Sequence, residues 1–124
     1  MIQILSVGAG GFIGAVLRFL MGRLPLKEIT AFPINTLLIN VIGAFVIGLV
    51  AAAAAKHGTE NSGIMMFLQI GVCGGFTTFS TFSLDGITLI QEGQLLMFMF
   101  YAVSSVVLCL LAVWLGQLAA AVLL

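Results

Sequence analysis

Long apolar stretches dominate the chain, and charges and helix-breaking residues divide them into four segments. Each segment is near or above the roughly 20 residues that an α-helix needs to cross the hydrocarbon core of a bilayer. The predicted helices cover about residues 2–21, 33–55, 62–90 and 94–122, and the third has a break near residues 74–78. The pattern therefore predicts an all-α integral membrane protein, with one four-helix membrane domain over residues 1–124.

The composition supports a membrane location and excludes several classes of function. Hydrophobic residues make up 62% of the 124 residues, and the chain has only four Lys or Arg and four Asp or Glu. A soluble domain has about 25% charged residues, so this chain could not cover a water-soluble surface. No basic cluster is present to neutralise nucleic-acid phosphates, and no segment remains for a catalytic domain outside the membrane. We expect a multi-pass protein of the cell's inner (plasma) membrane that is not an enzyme.

The distribution of basic residues gives only a weak prediction of orientation. Arg23 and Lys27, with Arg18 just inside the first segment, lie at one end of the spans, and Lys56 lies at the other. This asymmetry favours a cytoplasmic first loop. Because the bias is small, the sequence also allows insertion in both orientations, which would let two copies assemble antiparallel.

The third segment contains the strongest candidate for chemistry in the chain. Gly74 and Gly75 weaken the helix by about 1 kcal/mol each relative to Ala, and the hydroxyl-rich sequence TTFSTFS begins two residues later. Unwound carbonyls at such breaks coordinate Na⁺ in transporters. A half-helix beginning near Thr78 would present its positive dipole end to an anion. Ser80 and Thr81 add hydroxyls within the next turn.

Other polar and aromatic positions could line the same site, and each also has a simpler structural interpretation. Phe79 and Phe82 share a helix face; they could contact lipid or core, or direct their positive ring edges at an anion. Asn40 could form an interhelical hydrogen bond or contact a ligand. Arg18 could extend to the membrane surface or attract anions at a vestibule. A polar stripe on the fourth helix comprises Tyr101, Ser104, Ser105 and Cys109.

The run from Gly74 to Ser83, GGFTTFSTFS, closely resembles the hallmark sequence of the Fluc (CrcB) family of small bacterial fluoride channels. The resemblance extends to a G-x-x-GA-x-LR pattern at Gly11 to Arg18 and a TL-x-x-N-x-x-GA-x-x-IG pattern from Thr36 to Gly48. Tyr101 and Ser105 on the last helix complete it. The similarity therefore covers nearly the whole chain.

This resemblance implies a fluoride-selective channel that exports fluoride passively and reduces its toxicity in the cytoplasm. It implies an antiparallel, dual-topology homodimer in the lipid bilayer, with a structural Na⁺ held by the backbone carbonyls of Gly74 and Thr77. Phe79 and Phe82 would be the pore phenylalanines, and Arg18 would make the vestibule electropositive. Polar contacts along the anion pathway would come from Asn40, Ser80, Thr81, Tyr101 and Ser105.

Two positions depart from the family pattern, and two other functions compete with the channel. Cys109 stands where serine often continues the polar track, and Asp85 stands where glutamate is common. A small multidrug-type proton-coupled exporter would also have four helices and dual topology, but it needs an acidic group that segment one lacks. Gly10 with Gly14 and Gly71 with Gly75 have the spacing of helix-packing pairs. An assembly subunit without transport activity would be supported only by these glycine pairs.

Overall fold

The computed structural model describes residues 1–28 and 30–124, and helices dominate this part of the chain. Four stretches of the described residues are long and apolar enough to cross a membrane. The third of them, Gly63–Gln91, consists of two helices, so the four spans contain five helices. The predicted all-α fold with four spans and a broken third helix is confirmed. In chain order, the helices are α1 (Ile2–Gly22), α2 (Ile34–His57), α3 (residues 63–76), α4 (Phe79–Gln91) and α5 (Leu95–Leu123).

The connections between the spans are short. A 3₁₀ turn over Pro25–Glu28 follows α1, and the side chains of Lys27 and Glu28 lie outside the described part of the structure. The predicted second helix began at about residue 33, and α2 begins at Ile34 with Pro33 as the residue before it. Gly58 ends α2 with a φ of 62°, a left-handed conformation that glycine adopts without steric cost.

Glycines bring α1 and α3 into backbone contact. A Cβ atom at Gly10 would overlap the carbonyl oxygen of Phe67, and one at Gly14 would overlap that of Val72. On α3, a Cβ atom at Gly75 would lie 2.7 Å from the carbonyl oxygen of Gly11. Glycine pairs at this spacing permit close approach of membrane helices, and the structure bears out the packing interpretation.

α2 is the most buried of the four spans and packs along α5. Gly48 and Gly116 permit this contact, because a Cβ on either would overlap a backbone carbonyl of the other helix. Near the α1–α2 loop, Leu37 of α2, Leu89 of α4 and Tyr101 of α5 form a buried hydrophobic cluster. α2 therefore supports both α4 and α5.

The break in the third span lies within the predicted residues 74–78, but it falls at the threonines and not at the two glycines. Gly74 and Gly75 remain helical, and α3 contains a π-helical turn over Phe67–Cys73 that the sequence did not predict. The chain becomes extended at Thr77 (ψ 158°) and Thr78 (φ −150°, ψ 119°), which we call the helix break. Gly75 serves the contact with α1, whereas β-branched threonines suit an extended backbone. The helix break therefore lies after the two glycines in the chain, at Thr77 and Thr78.

Candidate functional site

The side chain of Asn40 on α2 pairs with the backbone of the helix break. The N–H of Thr78 donates to Asn40 Oδ1 at 2.8 Å, and Asn40 Nδ2 donates to the carbonyl of Thr78 at 3.0 Å. The amide therefore replaces the hydrogen bonds that an extended residue inside a membrane would otherwise lack. The sequence left interhelical bonding and ligand contact open for Asn40. The structure shows interhelical bonding, with one Nδ2 hydrogen left for another partner.

The helix break leaves two carbonyls without their usual helical donors. In a continuous helix, the N–H groups of Thr78 and Thr81 would donate to the carbonyls of Gly74 and Thr77. Here the Thr78 N–H donates to Asn40, and the Thr81 N–H donates to Thr78 Oγ1 at 3.1 Å. The carbonyls of Gly74 and Thr77 are thus available to another electropositive group. Carbonyl oxygens are suitable ligands for a hard cation such as Na⁺.

Three hydroxyls gather at the N-terminus of α4. Thr78 caps the helix, and its Oγ1 donates to Thr81 Oγ1 at 3.0 Å and lies 3.3 Å from Ser80 Oγ. Ser83, in contrast, donates to the carbonyl of Phe79 at 2.9 Å and so bonds to its own helix. The sequence grouped Ser83 with the other hydroxyls, but its back-bonding is the common arrangement for serine in a helix. The hydroxyl cluster therefore consists of Thr78, Ser80 and Thr81.

Phe79 and Phe82 form a continuous aromatic surface that leads into the core. Their ring centroids are 5.5 Å apart, and the Phe82 ring lies 5.0 Å from that of Tyr101. Phe79 is 80% exposed, whereas Phe82 is half-buried. The structure thus separates two residues that the sequence treated alike, since Phe79 projects from the surface of the chain and Phe82 packs against Tyr101.

Asp85 links three helices, a role that the sequence did not predict. Thr36 Oγ1 of α2 donates to Asp85 Oδ2 at 2.7 Å, and the hydroxyl of Tyr101 on α5 donates to the same oxygen at 3.2 Å. Tyr101 is fully buried, and its proton is engaged by Asp85. In this arrangement the hydroxyl of Tyr101 has no hydrogen to offer an anion. A carboxylate within an apolar span was the feature that could have indicated this connection.

A groove of about 350 Å³ runs beside the helix break, and we call it the break groove. It brings together four of the predicted pathway residues. Ser105 is only 8% exposed, and its Oγ has no hydrogen-bond partner among the described residues. The predicted residues Gly74, Ser80, Thr81 and Tyr101 do not line this groove. Its lining includes Asn40, Thr77, Thr78, Phe79, Phe82, Ser105 and Cys109, together with Ala44, Ile47, Val106 and Val113.

A second cavity, of about 300 Å³, contains the predicted vestibule residue Arg18. Thr78 and Thr81 also line it, so Thr78 borders both cavities. Asn35 closes one side; its Nδ2 donates to the carbonyls of Met21 and Leu24 and joins the end of α1 to the start of α2. Arg18 therefore lines the same cavity as two members of the hydroxyl cluster, Thr78 and Thr81.

The fold and the two cavities define a class of protein. This is a small multi-pass membrane protein in which a broken span, hydroxyls and aromatic rings border an uncharged groove. Non-helical backbone at membrane depth occurs where it is buried in protein or lines a cavity, as in selectivity filters and transporters. The chain belongs to the CrcB family: the model described as "CrcB-like protein, Camphor Resistance (CrcB)" matches residues 5–117.

Individual relatives agree with this assignment over most of their length. A protein of Ruminiclostridium cellulolyticum named fluoride-specific ion channel FluC is 42% identical over 97% of this chain and 93% of its own. A Rhizobium meliloti protein of the same name is 46% identical over 92% of both chains. In Methanosarcina barkeri, fluoride-specific ion channel FluC 3 is 39% identical over 94% of this chain and 89% of its own. The family resemblance found in the sequence is confirmed.

Proposed function

We propose that this protein is a fluoride-selective channel that lets fluoride leave the cell passively and so limits its toxicity. The observation that carries the proposal is the break groove, where hydrogen-bond donors and phenylalanine rings meet without an ionised side chain among the lining residues. The relatives that match nearly the whole chain are named for fluoride. Ion conduction needs no covalent chemistry, so the function is non-enzymatic.

Fluoride must lose tightly held water to pass through a narrow path, and the protein must offer donors in its place. Three donors near the helix break meet this need. Asn40 Nδ2 keeps one free hydrogen, and the Ser105 hydroxyl has no partner among the described residues. Thr81 Oγ1 accepts from Thr78, so its own hydrogen remains available. A neutral set of donors binds an anion weakly enough for it to leave, which a channel requires.

The aromatic rings and Arg18 complete the proposed path. The edge of a phenylalanine ring carries partial positive charge and can face a small anion without a formal charge. Phe79 and Phe82 supply such edges beside the break groove. Arg18 shares the other cavity with Thr78 and Thr81, where its charge would concentrate anions at the entrance. Thr78 borders both cavities and connects the vestibule to the groove.

We further propose a structural Na⁺ at the helix break, held by the carbonyls of Gly74 and Thr77. Support comes from the loss of the helical donors of both carbonyls to Asn40 and Thr78. A bound cation would supply positive charge next to an anion path with few charges of its own. Replacing Na⁺ on both sides of the membrane with a larger cation should slow or abolish fluoride flux and lower the thermal stability of the protein. Unchanged flux and stability without Na⁺ would remove this ion from the account.

A second copy of the chain is the proposed partner, arranged antiparallel to the first. Phe79 is 80% exposed, and Gly74 and Ser80 are also exposed, so much of the proposed site lies open on one protomer. A hydroxyl and ring edges facing lipid would serve no ion, whereas a second protomer would enclose them. If each copy contributed the backbone carbonyls of Gly74 and Thr77, Na⁺ would have four ligands.

Dual topology and dimerisation can be tested together. Reporter domains fused after the C-terminus should give activity on both sides of the membrane, since the charge bias of the loops is small. The purified protein should have the mass of a dimer in mild detergent. A single orientation, or a monomer that still conducts fluoride, would contradict the antiparallel assembly.

The fluoride function itself is tested by efflux from liposomes that contain the purified protein. A fluoride electrode should record rapid downhill efflux without an imposed proton gradient, and chloride-loaded liposomes should release far less. Liposomes without protein are the control. An exporter would need a proton gradient, and that alternative has no support from the relatives or from α1, which contains no Asp or Glu. Absence of fluoride efflux would overturn the proposal.

A further inference from the structure

Gly43 of α2 lies against the helix break, and its lack of a side chain makes room for Thr77. A Cβ atom at Gly43 would overlap Cγ2 of Thr77 and would lie 3.2 Å from Cδ1 of Phe76. Gly43 is buried, and it does not line the break groove. At the glycines of the α1–α3 contact the nearest atoms are backbone, whereas at Gly43 the nearest atom is the methyl carbon of a break residue.

The side chain of Thr77 is held at two atoms. Its Oγ1 donates to the carbonyl of Cys73 at 2.9 Å, and its Cγ2 occupies the space over Gly43. The two groups share one stiff χ1 torsion, so turning the methyl group away from α2 would also turn the hydroxyl away from its acceptor. A larger residue at position 43 would therefore either break this hydrogen bond or displace the backbone of Thr77.

Asn40 holds the next residue of the break from the same face of α2. Residues three apart on a helix are neighbours, so Asn40 and Gly43 contact the break side by side. The N–H of Thr78 donates to Asn40 Oδ1 at 2.8 Å. No peptide bond of the described residues is cis, and in a trans peptide unit the N–H and the C=O point in opposite directions. The carbonyl of Thr77 therefore points away from Asn40 Oδ1.

We infer that Gly43 is a positioning residue for the carbonyl of Thr77, one of the two carbonyls proposed to hold Na⁺. The inference rests on the proposed channel and its proposed Na⁺. Asn40 fixes the Thr78 end of the peptide unit, and Gly43 fixes the Thr77 end by receiving the threonine methyl group. Gly43 acts only through Thr77, because it offers no side chain to an ion.

Three variants test this role by adding and removing single carbon atoms. Gly43→Ala adds a methyl group where Cγ2 of Thr77 lies, and Thr77→Ser removes that Cγ2 but keeps the hydroxyl that donates to Cys73. The third variant combines both changes. Thermal unfolding in detergent is measured over a series of Na⁺ concentrations, with a larger cation keeping the ionic strength constant. Fluoride efflux from liposomes is the second readout.

Gly43→Ala should need about tenfold more Na⁺ than the wild-type protein for half of the maximal stabilisation, because overpacking displaces the carbonyl. Its fluoride efflux should fall. The combined variant should need no more Na⁺ than Thr77→Ser alone, since the overlapping methyl group is gone, and its efflux should recover to that of Thr77→Ser. If Gly43→Ala yields no folded protein, the combined variant should still fold, and failure of both to fold would overturn the inference.

Leu37→Ala on the same helix is the control for a general loss of stability. Leu37 packs in the buried cluster with Leu89 and Tyr101, so a cavity there should lower the unfolding temperature without changing the Na⁺ requirement. The inference is overturned if Gly43→Ala behaves in the same way, or if Thr77→Ser does not relieve its effect.

Failure of the wider proposals would give a different pattern. A wild-type protein that Na⁺ does not stabilise would remove this ion from the account, and the efflux of Gly43→Ala and the combined variant would then decide the role of Gly43. A wild-type protein that carries no fluoride would overturn the channel, and the Na⁺ requirement would decide instead. If the wild-type protein shows neither property, the positioning role fails with both proposals.

Discussion

The two halves of the third span differ in how they use their residues. α3 contacts α1 through glycines, and its backbone lies against the backbone of its neighbour. Two residues, Thr77 and Thr78, separate α3 from α4, which presents hydroxyls and aromatic rings at its N-terminus. The same span therefore contains a half that is fixed by packing and a half that is available for chemistry.

The helix break separates these two halves, and Asn40 holds it in place. α3 is close to α1 and cannot move without breaking glycine contacts, whereas α4 is joined to α2 and α5 by side-chain hydrogen bonds at Asp85. Close packing on one side thus gives a rigid support for a polar site on the other. We therefore expect substitutions in the two halves to have different effects.

The largest effect is expected from a bulky residue at the α1–α3 contact. Gly14→Leu would direct a side chain into the backbone of Val72, and backbone cannot move aside as a side chain can. We expect almost no folded, monodisperse protein after extraction in mild detergent, measured by size-exclusion chromatography. Gly8→Leu on the same helix is the matched control, because a Cβ at Gly8 meets nothing within 4 Å. Equal yields of the two variants would show that the contact is not close.

A smaller but clear loss is expected when the helix break loses its support. Asn40→Ala leaves the N–H and the carbonyl of Thr78 without partners, at a cost of about 1–3 kcal/mol for each group. Thermal unfolding in detergent should show the loss, and fluoride efflux should fall with it. Asn61→Ala changes an exposed asparagine in a loop and should alter neither. A stable Asn40→Ala protein would mean that the break is held by other contacts.

The smallest effect is expected at the link between α4 and α5. Tyr101→Phe removes the hydrogen bond to Asp85 but keeps the ring that packs between Phe32 and Phe82. Interhelical hydrogen bonds in membrane proteins contribute about 0.6 kcal/mol on average. The free energy of unfolding of Tyr101→Phe should therefore be lower than that of the wild-type protein by an amount of this order. Thr88→Val, at an exposed position, is the control. A loss several times larger would indicate that Tyr101 and Thr36 act as one cooperative network with Asp85.

Much of the fold was predictable because membrane spans have a simple requirement. A helix that crosses a bilayer needs a long apolar run, and the chain contains little else. The hydroxyls after Gly75 also indicated a break, and the pairing of Phe79 with Phe82 followed from helical spacing. These features depend on local sequence alone.

The remaining features depend on which helices meet, and the sequence of one segment does not contain that information. The break lies at Thr77–Thr78 because Asn40, 38 residues earlier than Thr78, accepts and donates there. The sequence identified Asp85 as a departure from the family pattern, whereas its partners in the structure come from α2 and α5. The π-helical turn in α3 likewise has no local pattern that predicts it. Tertiary contacts decided the position of the break and the partners of Asp85.

The central claim is that the aromatic surface at the start of α4 belongs to the fluoride path, and Phe79→Ile tests it most directly. Phe79 is 80% exposed, so its replacement should leave folding intact. Phe100→Ile, at a phenylalanine on α5 that is 72% exposed, removes a ring of similar exposure away from the break groove. In fluoride efflux from liposomes, Phe79→Ile should lose most of its flux and Phe100→Ile should match the wild-type protein. Equal efflux from both variants would contradict the account.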